Sequence, residues 1–249
     1  MLEVRNEGPV RLLRMNRPPA NALNPELIAA LREAVAAFGK EAEALVISGS
    51  PGMFSAGLDV PTLIQLDRET LAGVWADFYS LLQSLAASPI PVVAAITGHS
   101  PAGGAVIGVF CDRRIMAEGR FKIGLNEVRV GLSLPSAIYL ALERLVGPRL
   151  AEQMATEGQL IDALEAHRVG LVNELAAADA VEERAVATCL RLLKLPRRAL
   201  ARTRQTARGP LLAGFEKRRE QDLETVMEEW FSDETQQALM ALVASLGKK

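Results

Sequence analysis

The sequence predicts an α/β protein in which strands and helices alternate and then give way to helices alone. Apolar runs such as Ala44–Ser48 and Pro91–Ile96 are strand-length and end in Gly/Ala/Ser turns. Longer segments with helical signals separate them. From Pro135 onward only helical segments are expected, with Pro196 as a boundary before the last of them, so residues 1–195 read as the core and 196–249 as a C-terminal helical segment.

The elements follow in order. Leu2–Arg5 and Val10–Met15 read as a hairpin around Gly8-Pro9. Asn24-Pro25-Glu26 is an N-cap followed by Pro at the first helical position, starting a helix expected to run to Phe38 and stop at Gly39. Strand 44–48 and a first turn come next, then a helix over Thr70–Ala87. Strand 91–96, a second turn and a helix from Gly103 repeat the pattern. Arg113–Ala117 and Phe121–Ile123 are further strands. Helices are expected over Pro135–Val146, Arg149–Thr156 and Asp162–Arg168, and then as long C-terminal segments.

Composition bounds the function. At 249 residues, 49% hydrophobic and 23% charged, the chain builds one large core and is not disordered. A net charge of −2 and 4% aromatics argue against nucleic-acid and membrane partners. Cys111 and Cys189 make no metal spacing and suit a reducing compartment; with no early apolar segment, a cytoplasmic location is expected. Ser88–Cys111 carries no charge and has the length of a membrane span, but its prolines and glycines fit a buried strand, turn and helix instead.

The two turns carry the chemistry. Phe54-Ser-Ala-Gly-Leu-Asp59 and Gly98-His-Ser-Pro-Ala-Gly-Gly104 each follow a strand. A turn of small residues brings bare N–H groups close to a ligand, and a helix starting there adds unpaired donors and a positive dipole end. Two such turns side by side could aim two donors at one oxygen, an oxyanion hole; the alternative reading is two tight turns of an α/β core. Gly98-His-Ser100 resembles the elbow of serine hydrolases, yet Pro101 lacks the N–H that such an elbow uses. His99 and His167, the two histidines, have no second ligand at metal spacing, so no metal is expected, and no phosphate-binding glycine motif is present.

Glu127 lies in Ile-Gly-Leu-Asn-Glu-Val-Arg-Val-Gly (123–131), an apolar segment bounded by glycines. It reads equally as a surface carboxylate or as a proton-shuttling one with a raised pKa. Asp59 and Asn126 read as polar support or caps. Arg191–Arg208 holds seven basic residues and no acid, which fits a solvated helix face or a contact for an anionic tail.

Together these motifs resemble the crotonase (enoyl-CoA hydratase/isomerase) superfamily over nearly the whole chain. Asn16-Arg-Pro with Ala20-Asn-Ala-Leu23, and Asp162-Ala through Gly170-Leu-Val172, add to the likeness. Ser-Pro-Ala-Gly-Gly at 100–104 and Ile-Gly-Leu-Asn-Glu at 123–127 are most similar to the mitochondrial-type Δ3,Δ2-enoyl-CoA isomerase branch. The resemblance implies a ββα spiral core whose C-terminal helices support a homotrimer or a hexamer built from two trimers. It implies a coenzyme A thioester as substrate and no separate cofactor. Leu58 and Gly103 would supply the oxyanion-hole N–H groups and Glu127 the acid/base. Ala20, Ala22, Ala56, Gly57, Asp59 and Gly104 would border the CoA moiety. Hydratases of the superfamily carry a second glutamate where this chain has Val106, so a double-bond shift is expected ahead of hydration; hydratase, hydrolase or a non-catalytic acyl-CoA-binding role are the alternatives.

Overall fold

A long strand of one sheet, a short strand of a second sheet and a helix recur along the chain, and the recurrence brings distant turns together. The computed structural model describes residues 1–37 and 42–246. β1 (Leu2–Glu7) and β2 (Val10–Met15) form the expected antiparallel hairpin. α1 (Pro25–Ala36) starts as predicted: the Asn24 side chain accepts the Leu27 N–H at 3.0 Å, and Pro25 sits where no donor is needed. The expected end at Phe38 and Gly39 lies outside the described residues. Then come β3 (Ala44–Ser48), β4 (Gly52–Met53), the one-turn α2 (Val60–Leu63) and α3 (Arg68–Ala87). The unit recurs as β5 (Val92–Ile96), β6 (Gly98–Pro101) and α4 (Gly103–Phe110), and again as β7 (Arg113–Ala117), β8 (Lys122–Gly124), a 3-10 turn over Glu127–Val130 and α5 (Ser136–Val146). The chain ends with α6 (Pro148–Glu157), β9 (Ile161–Asp162), α7 (Ala163–Arg168), β10 (Glu174–Ala176), α8 (Val181–Leu193), α9 (Arg197–Trp230) and α10 (Asp233–Leu246).

The larger sheet has the order β1-β2-β3-β5-β7-β10 and is parallel from β2 onward; the smaller has the order β4-β6-β8-β9. β3 and β5 are buried along their whole length because both faces of the large sheet are covered, which is why they read as unbroken apolar runs. Leu45 and Ile47 face the core shared with α1, α3 and α4, while Val46 faces Val181, Ala185 and Cys189 of α8.

Several expectations are corrected. Residues 98–104 are not one turn: Gly98–Pro101 pair in parallel with β4 and β8 as a strand, and the chain turns only at Ala102. α3 begins before Thr70 because Asp67 caps it, accepting the Thr70 N–H at 2.8 Å. The C-terminal part is not purely helical, since β9 pairs with β8 and β10 with β7; strands of two or three residues are too short to leave a periodic signal. Arg191–Arg208 is not simply a solvated face. Arg204 donates to both Asp112 oxygens, at 3.0 and 2.7 Å, and Arg208 lies 3.0 Å from Asp112 in an ion pair, both arginines largely buried. The uncharged stretch from Ser88 becomes β5, β6 and the wholly buried α4, and among the described residues no helix is long and apolar enough to cross a membrane.

Candidate active site

The first turn is held by the segment before α1. Ser55 Oγ donates to Asn21 O at 2.8 Å, and the Asn21 amide donates to Met53 O and Phe54 O, each at 3.2 Å. Alongside, Ala56 N–H donates to Ala20 O, Leu23 N–H to Gly57 O and Asp59 N–H to Leu23 O, at 2.9, 2.8 and 3.1 Å. This short parallel bridge engages the groups flanking Leu58. It leaves the Leu58 N–H without a protein acceptor among the described residues.

The second turn supplies a second free donor. Ala102 sits at φ 46°, ψ −125°, a conformation costly for a residue with a β-carbon, and is held there as its N–H donates to Gly124 O at 2.9 Å. This reversal starts α4 at Gly103, whose N–H belongs to the first helical turn and has no acceptor among the described residues. The two turns touch. A β-carbon on Gly57 (φ 91°) would lie 3.0 Å from the Gly103 nitrogen, and one on Gly103 would lie 3.3 Å from the Leu58 nitrogen. Only glycine at both positions lets the donors approach this closely.

Leu58, Gly103 and Glu127 line one cavity of about 590 Å³. Glu127 opens the 3-10 turn, and its Oε2 is buried with no hydrogen-bond partner. Burial pushes its carboxyl up to about 7, opposed only by its own backbone N–H. The other walls are mostly apolar, from Trp75, Phe78, Val106, Ile138, Val226 and Trp230. Leu239 of α10 packs against it, with Leu242 and the half-exposed Leu246 at its rim. Glu127 is the single carboxylate among the described residues lining it.

The remaining predicted residues are placed around this centre. Ala56 lines the cavity, whereas Ala20, Ala22, Gly57, Asp59 and Gly104 do not. Ala20 and Ala22 are half-buried beside the first turn. Asp59 caps α2, accepting the Thr62 N–H at 3.3 Å, and is ion-paired with Arg17 at 2.6 Å. Gly104 packs on Ser55, where a β-carbon would meet the carbonyl oxygen at 2.6 Å. Asn126 lines the cavity with its Oδ1 buried and unpaired, so it is neither cap nor satisfied support. His99 also lines it; its Nδ1 accepts the Lys122 N–H at 3.1 Å, which leaves the proton of the neutral ring on Nε2. Among the described residues no cluster of three or more His, Cys, Asp or Glu is placed to hold a metal ion.

Sequence reasoning did not find Trp75, Trp230 or the α10 leucines. The spacing of Leu239, Leu242 and Leu246 marks one helix face, but nothing in the sequence says that this face closes a cavity begun nearly two hundred residues earlier.

A family model described as enoyl-CoA hydratase/isomerase matches residues 5–245. The chain belongs to this family, the crotonase superfamily. The human mitochondrial enoyl-CoA delta isomerase 1 is 28% identical over 241 residues, covering 95% of this chain and 80% of the human protein. A probable enoyl-CoA hydratase, echA17 of Mycobacterium avium, is 36% identical over 196 residues, covering 76% of this chain and 74% of its own. The crystal structure of human mitochondrial delta3-delta2-enoyl-CoA isomerase superposes with a TM-score of 0.94 at 27% identity, over 99% of this chain and 98% of that one. The fold is thus the crotonase fold, as the motifs implied.

Proposed function

We propose that this enzyme moves the double bond of a 3-enoyl-CoA thioester to give the 2-trans-enoyl-CoA, with Glu127 as the only proton carrier. The observation that carries the reading is a single carboxylate, with one oxygen buried and unpaired, in a cavity that also receives two free backbone donors. The Leu58 and Gly103 N–H groups take the thioester oxygen. Glu127, in its ionised form, removes a proton from C2, and negative charge builds on that oxygen, where each preorganised donor contributes roughly 3–4 kcal/mol. The carbon framework is now a dienolate. Glu127, now protonated, returns the proton at C4, and the C3–C4 double bond becomes C2–C3. A carboxyl near 7 suits both halves of the cycle, since it takes and gives a proton with similar ease at neutral pH.

Hydration asks for a second group, because one must deprotonate water while another protonates C2. Val106, 1% exposed and apolar, stands where that second carboxylate would be expected. The apolar walls suit a hydrocarbon acyl chain, and Ala20, Ala22, Ala56, Gly57, Asp59 and Gly104 are assigned to the CoA side. The same reading carries a homotrimer, or two stacked trimers, as the assembly.

The test offers purified protein a 3-enoyl-CoA and, separately, a 2-enoyl-CoA, following absorbance of the conjugated thioester. Isomerisation far faster than hydration is expected. Hydration equal to or faster than isomerisation restores the hydratase reading, and binding without any turnover restores the non-catalytic one.

A further inference from the structure

We infer that Thr235, on α10, is a positioning residue for Glu127, and that it makes the seating of the acyl-chain wall and the placement of the base one event. The inference rests on Glu127 being the base.

The 3-10 turn that Glu127 opens ends at Gly131, with φ 79°. Thr235 is 1% exposed and its Oγ1 donates to the Gly131 carbonyl at 2.7 Å. α10 is seated directly on the turn: a β-carbon on Gly131 would lie 2.8 Å from Thr235 Oγ1 and 3.1 Å from its Cα. Gly131 is in turn tied back to the base, since its N–H donates to Val128 O at 3.2 Å and the next N–H, of Leu132, donates to Glu127 O at 3.3 Å. A shift of the Gly131 peptide therefore moves the backbone that carries the carboxylate.

Two other clamps hold the same segment. Glu229 accepts from Ser133 N and Oγ at 2.8 and 2.9 Å, and Arg129 Nε donates to Gly158 O at 2.7 Å. The Glu229 bonds are exposed; the Arg129 bond is partly buried, as is that of Thr235, but Arg129 itself is an exposed residue. Thr235 supplies the clamp from a fully buried residue; removing its hydroxyl leaves the carbonyl of Gly131 without this partner. Four, seven and eleven residues further on, Leu239, Leu242 and Leu246 line the cavity. One helix thus lines the cavity with its leucines and touches the base turn with its threonine. The charged and titratable groups nearby are occupied or turned outward: Arg129 on Gly158, Glu229 on Ser133, and Asp233 and Glu234 exposed to solvent, while Lys122 on β8 and His99 on β6 line the cavity.

The experiment compares Thr235→Val, Thr235→Ser and Glu127→Gln with the wild type in the 3-enoyl-CoA assay across pH. Val keeps the shape and removes the donor; Ser keeps the donor. Thr235→Val is expected to lower kcat about tenfold with little change in KM, because a small misplacement of a reacting group is expensive. It should also move the acid limb of the rate profile to lower pH, because a loosened turn lets water reach the carboxylate. Thr235→Ser should restore both. Wild-type kcat and an unmoved limb in folded Thr235→Val overturn the inference, as does a lower Tm with unchanged kinetics. If Thr235→Val does not fold, Gly131→Ala, which presses on Thr235 from the other side, must show the same split, and wild-type kinetics there overturn it. An active Glu127→Gln removes the base assignment itself, and the inference with it; an inactive Glu127→Gln beside a wild-type-like Thr235→Val removes only the role of Thr235.

Discussion

Arg17 Nη2 donates to Asp59 Oδ2 at 2.6 Å, joining the segment before α1 to the turn that carries Leu58. Asp59 also caps α2, so one carboxylate fixes both sides of the proposed donor. Asp59→Ala removes cap and ion pair together and should cost about 1–3 kcal/mol in chemical denaturation. Asp59→Asn keeps the capping oxygen and should cost less than half of that. Equal losses in the two variants would show that the cap contributes nothing.

Gly103→Ala tests the oxyanion hole without deleting a donor. The new methyl would lie 3.0 Å from the flexible end of Leu23, 3.2 Å from the Gly57 Cα and 3.3 Å from the Leu58 nitrogen, so it pushes the two donor turns apart by a few tenths of an ångström. A fall in kcat of about 10²–10³-fold is expected, comparable to losing one donor. A folded variant with unchanged turnover would put the oxygen elsewhere.

Glu127→Gln should still bind the CoA ester but lose about 10²–10⁴-fold in isomerisation. In the wild type, kcat/KM should rise with pH and level off above about 7, as the carboxyl ionises. Stability should run the other way. The folded carboxyl, at about 7 against an ordinary 4.5, holds its proton more tightly than in the unfolded chain. Wild-type stability therefore falls as pH rises between those values and is flat above them, by about 1–3 kcal/mol in all. The Gln variant lacks this slope, and paired melting curves at pH 5 and 8 measure the difference.

Val106→Glu should raise hydration of 2-enoyl-CoA only modestly, because its neighbours along α4 are apolar and buried. Val106 is 1% exposed, so the variant should also lose of order 2 kcal/mol of stability. Hydration at the level of isomerisation in the variant would mean that one side chain alone decides between the two reactions.

How far the sequence reaches depends on how local each signal is. Asn24 and Pro25 announce α1 because capping is decided within four residues. The strands β3 and β5 announce themselves because burial on both faces makes every position apolar except Ser48 at the end of β3. Glu127 is legible as a candidate, but whether it is solvated or buried depends on Trp230 and Leu239, more than a hundred residues away, and spacing cannot say. The pairs Arg204–Asp112 and Thr235–Gly131 are invisible for the same reason. β9 and β10 are missed because two or three residues cannot show a period. Ala102 gives no warning of its strained backbone, since the strain comes from the pairing of β6 and the bond to Gly124 O just before α4 begins.

The cavity draws its walls from Met53 to Leu246, from late in the first quarter of the chain to the end of α10. During synthesis, Trp75, Phe78, Val106 and Ile138 leave the ribosome well before Val226, Trp230 and the α10 leucines that cover them. A partly made chain thus presents a greasy open bowl to the cell. The interval between finishing α5 and docking α10 is the time when this apolar surface stands open, and slowing the ribosome anywhere after α5 should cost more soluble product than slowing it before.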